Sequence, residues 1–179
     1  MCCKKVKKAQ TTQKVLKPER YAFYTPRIRA QSRYGPHKKE ISDLIVGIML
    51  GDGHMEKHGL GSRFNLHIGA KSLEFVEHVY NLLANNGYCS PKKPVVKALK
   101  PYKQSDKIYH TVNLKTYTFG SFDYYRNEWY LNGIKVIPAS LEHDLTRRAL
   151  AYWFMADGNF TGFNFNIRTN SFTESEVEQ

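Results

Sequence analysis

Apolar and polar side chains alternate along most of the chain with periods that predict helices and strands. The segment LIVGIML follows Ser42, a common helix N-cap residue, and predicts a helix over 43–51. Residues 63–70 alternate strictly between apolar and polar side chains, which predicts a half-buried strand. Residues 72–87 place apolar side chains at helical spacing and stop at Asn-Asn-Gly, as an amphipathic helix does.

The elements that follow continue this alternation of helices and strands. A proline-bounded segment over 91–101 predicts a short strand, residues 107–119 predict a clearer strand, and residues 122–133 predict a third helix. Residues 145–158 then begin a new helix. The order before that point is helix, strand, strand, helix, strand, strand, helix, which predicts an α+β fold.

The chain also contains an internal repeat. The segment LIVGIMLGDG is similar to ALAYWFMADG, and this places Asp52 in register with Asp157. Downstream, RFNLHIGAKSLEFVE is similar to GFNFNIRTNSFTESE, in the same order along the chain. A repeat of this length indicates a duplicated domain. We therefore predict a first domain over 41–140 and the start of a second domain over 141–179.

The second copy of the repeat is expected to be incomplete. Thr173 and Glu176 have the spacing of a capping box, so a helix is predicted to begin close to residue 179. The strands and helices that follow this point in the first copy would then have no counterparts in the second.

The positive charge is concentrated before the first predicted helix. The net charge is +11, and residues 1–40 hold 12 of the 27 Lys and Arg but two of the 16 Asp and Glu. We interpret residues 1–40 as a basic, flexible N-terminal arm that binds phosphates without sequence preference. A solvated leader and a targeting segment are the alternatives.

Composition excludes several other classes of protein. The chain is 41% apolar, which suffices for a globular core, but no apolar run approaches the roughly 20 residues of a membrane-spanning helix. The three cysteines show neither a CxxC spacing nor an even framework, which favours a reducing intracellular compartment over a disulfide-stabilised secreted protein.

The two aspartates in register suggest a chemical role. Small residues on both helices would allow close approach of the backbones, namely Gly47 and Gly51 on the first and Ala149, Ala151 and Ala156 on the second. Asp52 and Asp157 would then meet at two helix C-termini, which already carry partial negative charge. A bound cation would make this accumulation of negative charge favourable. Carboxylate oxygens are hard ligands that favour Mg²⁺, an ion suited to phosphodiester hydrolysis. The alternative is an exposed Asp at a helix end.

The signature segments resemble those of a known family. IVGIMLGDG (45–53) and LAYWFMADG (150–158) resemble the two signature helices of the LAGLIDADG homing endonucleases, in the double-motif, monomeric branch. NGIKVIP, LTRRALAYWFMADG and RTNSFTESEVE resemble further family patterns in order, so that the resemblance covers about 41–179. It implies tandem αββαββα units around a pseudo-twofold axis, with the second unit C-terminally truncated, and sheets that form a saddle over the DNA major groove.

The resemblance also implies roles for individual residues. Asp52 and Asp157 would be the metal ligands, and Lys135 would orient or polarise the attacking water. The alternative for Lys135 is a surface lysine before a loop. Polar residues of the strand faces would read base edges, and the alternative for them is a solvated sheet face. These residues are Arg63, Asn65, His67, Thr111, Asn113 and Lys115 in one half-site, and Asn164, Asn166 and Arg168 in the other.

Three further polar residues alternate directly after the first signature. His54, Glu56 and His58 could suggest a metal site, but no fourth ligand lies nearby in the sequence, so solvated residues are the favoured interpretation.

The sequence hypothesis is a Mg²⁺-dependent, site-specific endonuclease for double-stranded DNA that is encoded by an intron. The alternatives are an RNA maturase that assists splicing of its host intron and an inactive DNA-binding remnant. We expect no membrane partner and a monomer if the chain is full length, although a fragment, a remnant or one part of a split protein is also considered. The resemblance implies a mitochondrial origin, with the chloroplast as the alternative.

Overall fold

The computed structural model describes residues 27–99 and 108–178, which are built around one buried helix. Helix α1 (Lys39–Leu50) is buried at every residue from Asp43 to Leu50. The predicted helix is confirmed, but it begins at Lys39 and not after Ser42. Ser42 is not the N-cap because its backbone N–H already donates to the carbonyl of Lys38, at 3.1 Å, within the first helical turn.

A four-stranded antiparallel sheet lies against α1. Its strands are β1 (Gly53–His58), β2 (Gly61–Gly69), β3 (Val96–Ala98) and β4 (His110–Lys115), in the spatial order β1-β2-β4-β3. The strict alternation of β2 is confirmed, since Phe64, Leu66 and Ile68 are buried in the core. The polar segment that follows α1 is itself β1, so this strand supplies the first partner of β2.

Helix α2 (Leu73–Asn85) covers the same apolar core and ends as the sequence predicts. Gly87 has a positive φ of 78°. The Tyr88 N–H donates to the Leu83 carbonyl at 2.8 Å, and the Gly87 N–H donates to the Ala84 carbonyl at 3.0 Å. These two bonds form a Schellman motif, which satisfies carbonyls at the helix end.

The third helix is shorter than predicted. Helix α3 covers Asp123–Trp129, and β5 (Tyr130–Leu131) and β6 (Ile134–Lys135) then form a hairpin. Asn132 and Gly133 lie between these strands with φ of 52° and 83°. Two successive positive φ angles define the type I′ turn that an Asn-Gly pair favours, so the chain reverses inside the segment predicted to be helical.

The second copy of the repeat contains helix α4 (Leu141–Asp144), helix α5 (Arg147–Asp157), strands β7 (Gly158–Phe160) and β8 (Phe165–Ile167), and helix α6 (Glu174–Val177). Thr146 is the N-cap of α5, because its Oγ1 accepts from the Ala149 N–H at 3.1 Å. The predicted capping box is present at α6, where Glu176 accepts from the Thr173 N–H at 2.8 Å.

Helices α1 and α5 pack side by side with almost no side chain between them. A Cβ at Gly47 would overlap the Ala149 carbonyl oxygen and lie 2.7 Å from the Tyr152 Cβ. A Cβ at Gly51 would lie 3.2 Å from the Ala156 Cβ. The close approach predicted from the small residues is therefore present at these positions.

Ala151 corrects the predicted interface. It is exposed, whereas Ala149 is fully buried. Two residues along a helix correspond to about 200° of rotation, so Ala151 faces away from the stripe that carries Ala149.

The end of the predicted arm packs on the first domain. Residues 1–26 lie outside the described part of the chain. Arg33 is 5% exposed, and its Nη1 donates to the Thr118 carbonyl at 2.7 Å. His37 Nδ1 lies 2.7 Å from Tyr88 Oη, and its Nε2 lies 2.9 Å from Ser121 Oγ. Within residues 27–38, the contacts of Arg33 and His37 thus tie the chain to the first domain, unlike the flexible arm that the sequence predicts.

No helix in the described ranges is both long and apolar enough to span a membrane. Cys89 is a buried free thiol, and burial raises its pKa to about 12, so it is protonated at neutral pH. Cys2 and Cys3 fall within the undescribed residues.

Adding one methyl group at the helix contact should destabilise the protein. We expect Gly47→Ala to lower the free energy of unfolding by about 1–3 kcal/mol. The added methyl group would meet the backbone of α5, which cannot move aside as a flexible side chain could. Urea denaturation measures this. Gly69→Ala is the control, since its Cβ would meet nothing within 4 Å and its φ of −64° suits alanine. Equal stabilities for the two variants would contradict the packing described here.

Acidification should weaken the contact made by residues 27–38. Burial lowers the pKa of His37 below the usual 6.5, so the unfolded chain takes up the proton first as the pH falls. The stability that neutral His37 contributes is complete above about pH 6.5 and is lost toward the lower folded-state pKa. Urea denaturation of His37→Gln should therefore show a shallower pH dependence than wild type.

The exposed imidazole of His143 provides the matched control for this measurement. His143→Gln should keep the wild-type pH dependence. Some dependence should remain in His37→Gln because burial also lowers the pKa of His54. A His37→Gln slope equal to that of wild type would show that His37 does not carry the effect.

Candidate active site

The two aspartates of the repeat come together where α1 and α5 end. Asp52 follows α1 in the turn that leads into β1, and Asp157 is the last residue of α5. A Cβ at Gly51 would lie 3.2 Å from the Asp157 Cβ, so the helix ends are in contact at this point. Because both helices end here, the partial negative charges of their C-termini add to those of the carboxylates.

The surroundings of the two carboxyl groups disfavour their ionised forms. Desolvation raises the pKa of Asp52 most, and repulsion from Asp157 raises it further, while Lys135, Arg168 and His67 oppose the shift. Desolvation also raises the pKa of Asp157, against the attraction of Arg168 and Lys135. The arrangement is therefore one that a bound cation would stabilise.

Lys135 lies directly beside the acids. Its Nζ donates to the Gly51 carbonyl at 3.0 Å and to the Gly53 carbonyl at 2.8 Å, so it bridges the residues on either side of Asp52. Burial lowers the pKa of Lys135 to about 8, although both aspartates act in the opposite direction. The short hairpin β5–β6 places this lysine, and the NGIKVIP segment was the sequence signal for it.

The donor set fits a hydrated magnesium ion. Mg²⁺ is usually held by one or two carboxylates together with water and substrate phosphates. Across residues 27–99 and 108–178, no group of three or more His, Cys, Asp or Glu side chains is arranged to hold a metal. If Mg²⁺ binds at this centre, Asp52 and Asp157 would be its carboxylate ligands, and water or phosphate would complete the coordination.

Arg168, the residue that directly follows β8, also belongs to this centre. Gly158 pairs with Ile167 in the β7–β8 hairpin, and the Arg168 N–H points to the Asp157 carbonyl at 3.5 Å. Its charge acts on both aspartates. The sequence assigned Arg168 to DNA contact alone, because the hairpin register that returns it to Asp157 was not deducible from the repeat.

The polar residues predicted on β2 and β4 share the sheet face opposite the core. His67 is paired with Asn113 and Asn65 with Lys115 across the two strands. His67, Asn113 and Lys115 are exposed, while Arg63 and Thr111 are half-buried. Asn164, Asn166 and Arg168 of the second copy are exposed too.

Asn65 does not fit the predicted DNA contact. It is 5% exposed, and its Nδ2 lies 2.9 Å from His54 Nε2. The side chain is therefore held against β1 and is shielded from a partner on the sheet surface.

The His54, Glu56 and His58 alternation does not form a metal site. His54 contacts Asn65, Glu56 accepts from Arg63 Nε at 2.8 Å, and His58 Nδ1 lies 2.8 Å from Thr118 Oγ1. All three side chains contact neighbouring residues. The sequence predicted that they would be solvated.

Two maturases of yeasts are similar to this chain in sequence. A cytochrome b mRNA maturase bI2 of Saccharomyces cerevisiae is 37% identical over 152 residues, which are 80% of this chain and 36% of the maturase. The corresponding protein of Debaryomyces hansenii is 34% identical over 80% of this chain and 55% of its own length. The chain thus spans about a third to about half of the length of these maturases.

Endonucleases are also similar. The intron-encoded endonuclease ai4 of Dictyostelium discoideum is 39% identical over 103 residues, which are 55% of this chain and 64% of that protein. Among solved structures, the homing endonuclease I-WcaI bound to its DNA recognition sequence matches with a TM-score of 0.69 at 23% identity, over 81% of this chain and 66% of that one. The predicted α+β fold is confirmed by this match.

The family is established by the sequence profile itself. Residues 42–179, most of the chain, match the profile of the LAGLIDADG DNA endonuclease family. This range includes both aspartates, Lys135 and the four-stranded sheet. The chain therefore belongs to the LAGLIDADG DNA endonuclease family.

Proposed function

We propose that this protein is an intron-encoded endonuclease that hydrolyses double-stranded DNA at a specific site, with Mg²⁺ bound between Asp52 and Asp157. The convergence of these two carboxylates at paired helix ends carries the proposal. They come from different copies of the repeat, which we propose to be domains over 41–140 and 141–179, and their mutual repulsion is what a divalent cation would remove.

Each charged residue of the centre has a proposed task. Asp52 and Asp157 would hold the metal, whose chemistry when bound would be polarisation of the scissile phosphate and acidification of a water ligand. Lys135 is fixed by two backbone carbonyls and is predominantly an ammonium at neutral pH, so it orients the attacking water or stabilises charge on the phosphate. Arg168 lies near both acids and binds a phosphate next to the cut.

The exposed face of the sheet is the proposed DNA surface. Strand β1 begins one residue after Asp52, so the sheet and the acids are joined by a short, fixed connection. Arg63, His67, Asn113 and Lys115 project from this face and have the donor groups that read base edges in a major groove. The similar structure of I-WcaI is bound to its DNA recognition sequence, which supports DNA as the partner of this protein.

A second candidate function is supported by other relatives. Two of the similar proteins are named as cytochrome b mRNA maturases, and this makes an RNA maturase the alternative. Its natural partner would be the host intron RNA, and the basic residues before position 40 would suit such a partner. These relatives also support a mitochondrial origin for this chain.

Metal-dependent cleavage tests the first proposal. The wild-type protein should cut a duplex that carries the uninterrupted insertion site of the host intron when Mg²⁺ is present. Asp52→Asn should lower the cleavage rate by about 10² or more, because it removes a metal ligand that acts on the transition state. Glu128→Gln removes an equal charge from an exposed helix position and should cleave like wild type.

The outcomes separate the candidate functions. Cleavage by Asp52→Asn at the wild-type rate would disprove the metal assignment. Rescue of intron splicing by both wild type and Asp52→Asn, with no cleavage by either, would support the maturase.

Thermal unfolding tests metal binding without relying on cleavage. In metal-free buffer, Asp157→Asn should be a few tenths of a kcal/mol more stable than wild type. Desolvation raises the pKa of Asp157 and so disfavours its charged form, and the charge of Asp157 also repels Asp52. Millimolar Mg²⁺ should then raise the Tm of wild type but not of Asp157→Asn, since only a protein that binds the ion gains stability from it. An equal rise in both proteins would exclude Asp157 as a ligand.

A further inference from the structure

The sheet face proposed to contact DNA carries a single carboxylate. Among the residues of β1–β4, Glu56 is the only Asp or Glu, whereas the same strands carry Lys57, Arg63, Lys97 and Lys115. A carboxylate on a surface that approaches phosphates is electrostatically unfavourable, so its presence calls for a reason.

Glu56 is bound to two of the cations on this face. It lies directly across from Arg63 in the β1–β2 ladder, and Arg63 Nε donates to Glu56 Oε2 at 2.8 Å. Lys115 Nζ, from β4, lies 3.5 Å from the same oxygen. The carboxylate therefore connects three strands through their side chains.

The ion pair with Glu56 leaves the two terminal nitrogens of the Arg63 guanidinium available for a base. The bond to Glu56 uses Nε, and the two terminal nitrogens are the fork that binds guanine O6 and N7. The Arg63 side chain is 22% exposed, so it is held against the sheet but still reaches the surface. Chiefly because of the Arg63 hydrogen bond, the pKa of Glu56 falls to about 2, and the carboxylate is ionised at all physiological pH values.

We propose that Glu56 determines how selectively this face binds DNA, by fixing Arg63 for base contact and offsetting the charges that would otherwise bind any phosphate. The inference rests on the proposed DNA-binding function. An Arg or Lys that no neighbour holds in place can turn to the backbone phosphates of any sequence, and phosphate contacts give affinity but no discrimination. Glu56 acts through Arg63 and Lys115 and is a positioning residue.

A purely structural ion pair makes a different prediction. Cross-strand charge pairs at exposed sites make a small contribution to stability. If that were the only role of Glu56, its replacement would change the free energy of unfolding but not the sequence selectivity of DNA binding.

The experiment compares Glu56→Gln with Glu77→Gln. Glu77 on α2 accepts from Lys93 at 2.6 Å, so its replacement removes the same charge and also breaks an exposed ion pair, but away from the sheet. Fluorescence anisotropy without divalent metal measures the affinity of each protein for a random-sequence duplex across a range of salt concentrations. Selection from a randomised duplex library measures sequence preference.

We expect Glu56→Gln to bind random duplex about three- to tenfold more tightly than wild type, with a salt slope steeper by about one to two phosphate contacts. The duplexes selected by Glu56→Gln from the library should show a weaker base preference at one position. Glu77→Gln should resemble wild type, and Glu56→Asp, which keeps the charge, should restore most of the selectivity. In an Arg63→Gln background, loss of Glu56 should have a smaller effect on selectivity, because its main partner is absent.

Two results would overturn the inference, and they are distinguishable. If wild type binds DNA but Glu56→Gln and Glu77→Gln have the same salt slope and selected sequences, Glu56 has no selective role and the proposed function stands. If wild type binds no duplex at all, both the inference and the proposed DNA function are wrong.

Discussion

The fold and the candidate site both depend on the contact between α1 and α5. At Gly47 the backbone of one helix lies against the Ala149 carbonyl of the other, where not even a methyl group fits. Because the helices run so close together, their C-terminal ends coincide, and Asp52 and Asp157 lie at the same place. A larger residue in this stripe would separate the acids as well as the two copies of the repeat, so packing and chemistry share one constraint.

Charge at the helix ends is balanced only in part. Two carboxylates and two helix C-termini face the ammonium of Lys135 and the guanidinium of Arg168. Lys135 is committed to the carbonyls of Gly51 and Gly53, and it therefore stabilises the turn as well as the carboxylates. The excess of oxygen ligands is the physical reason for expecting a divalent cation in this centre.

The sheet serves two purposes through the alternation of its strands. One set of side chains, such as Phe64 and Leu66, builds the core with α1 and α2, and the other set faces outward. On that outward face Glu56 is paired with Arg63 and Lys115. Strand β1 starts directly after Asp52, so the outward face and the acids keep a fixed relation to each other.

The sequence by itself determined the strand faces, the amphipathic helix and the paired aspartates, because alternation and repetition can be read directly along the chain. It missed the hairpin at Asn132-Gly133, although that pair is a known turn signal, because Phe122, Tyr125 and Trp129 before it recur at helical spacing. Only the tertiary structure decided that Asn65 is buried against His54 and that Arg168 returns to the acids. These outcomes depend on strand register and on contacts between distant segments, which local periodicity does not encode.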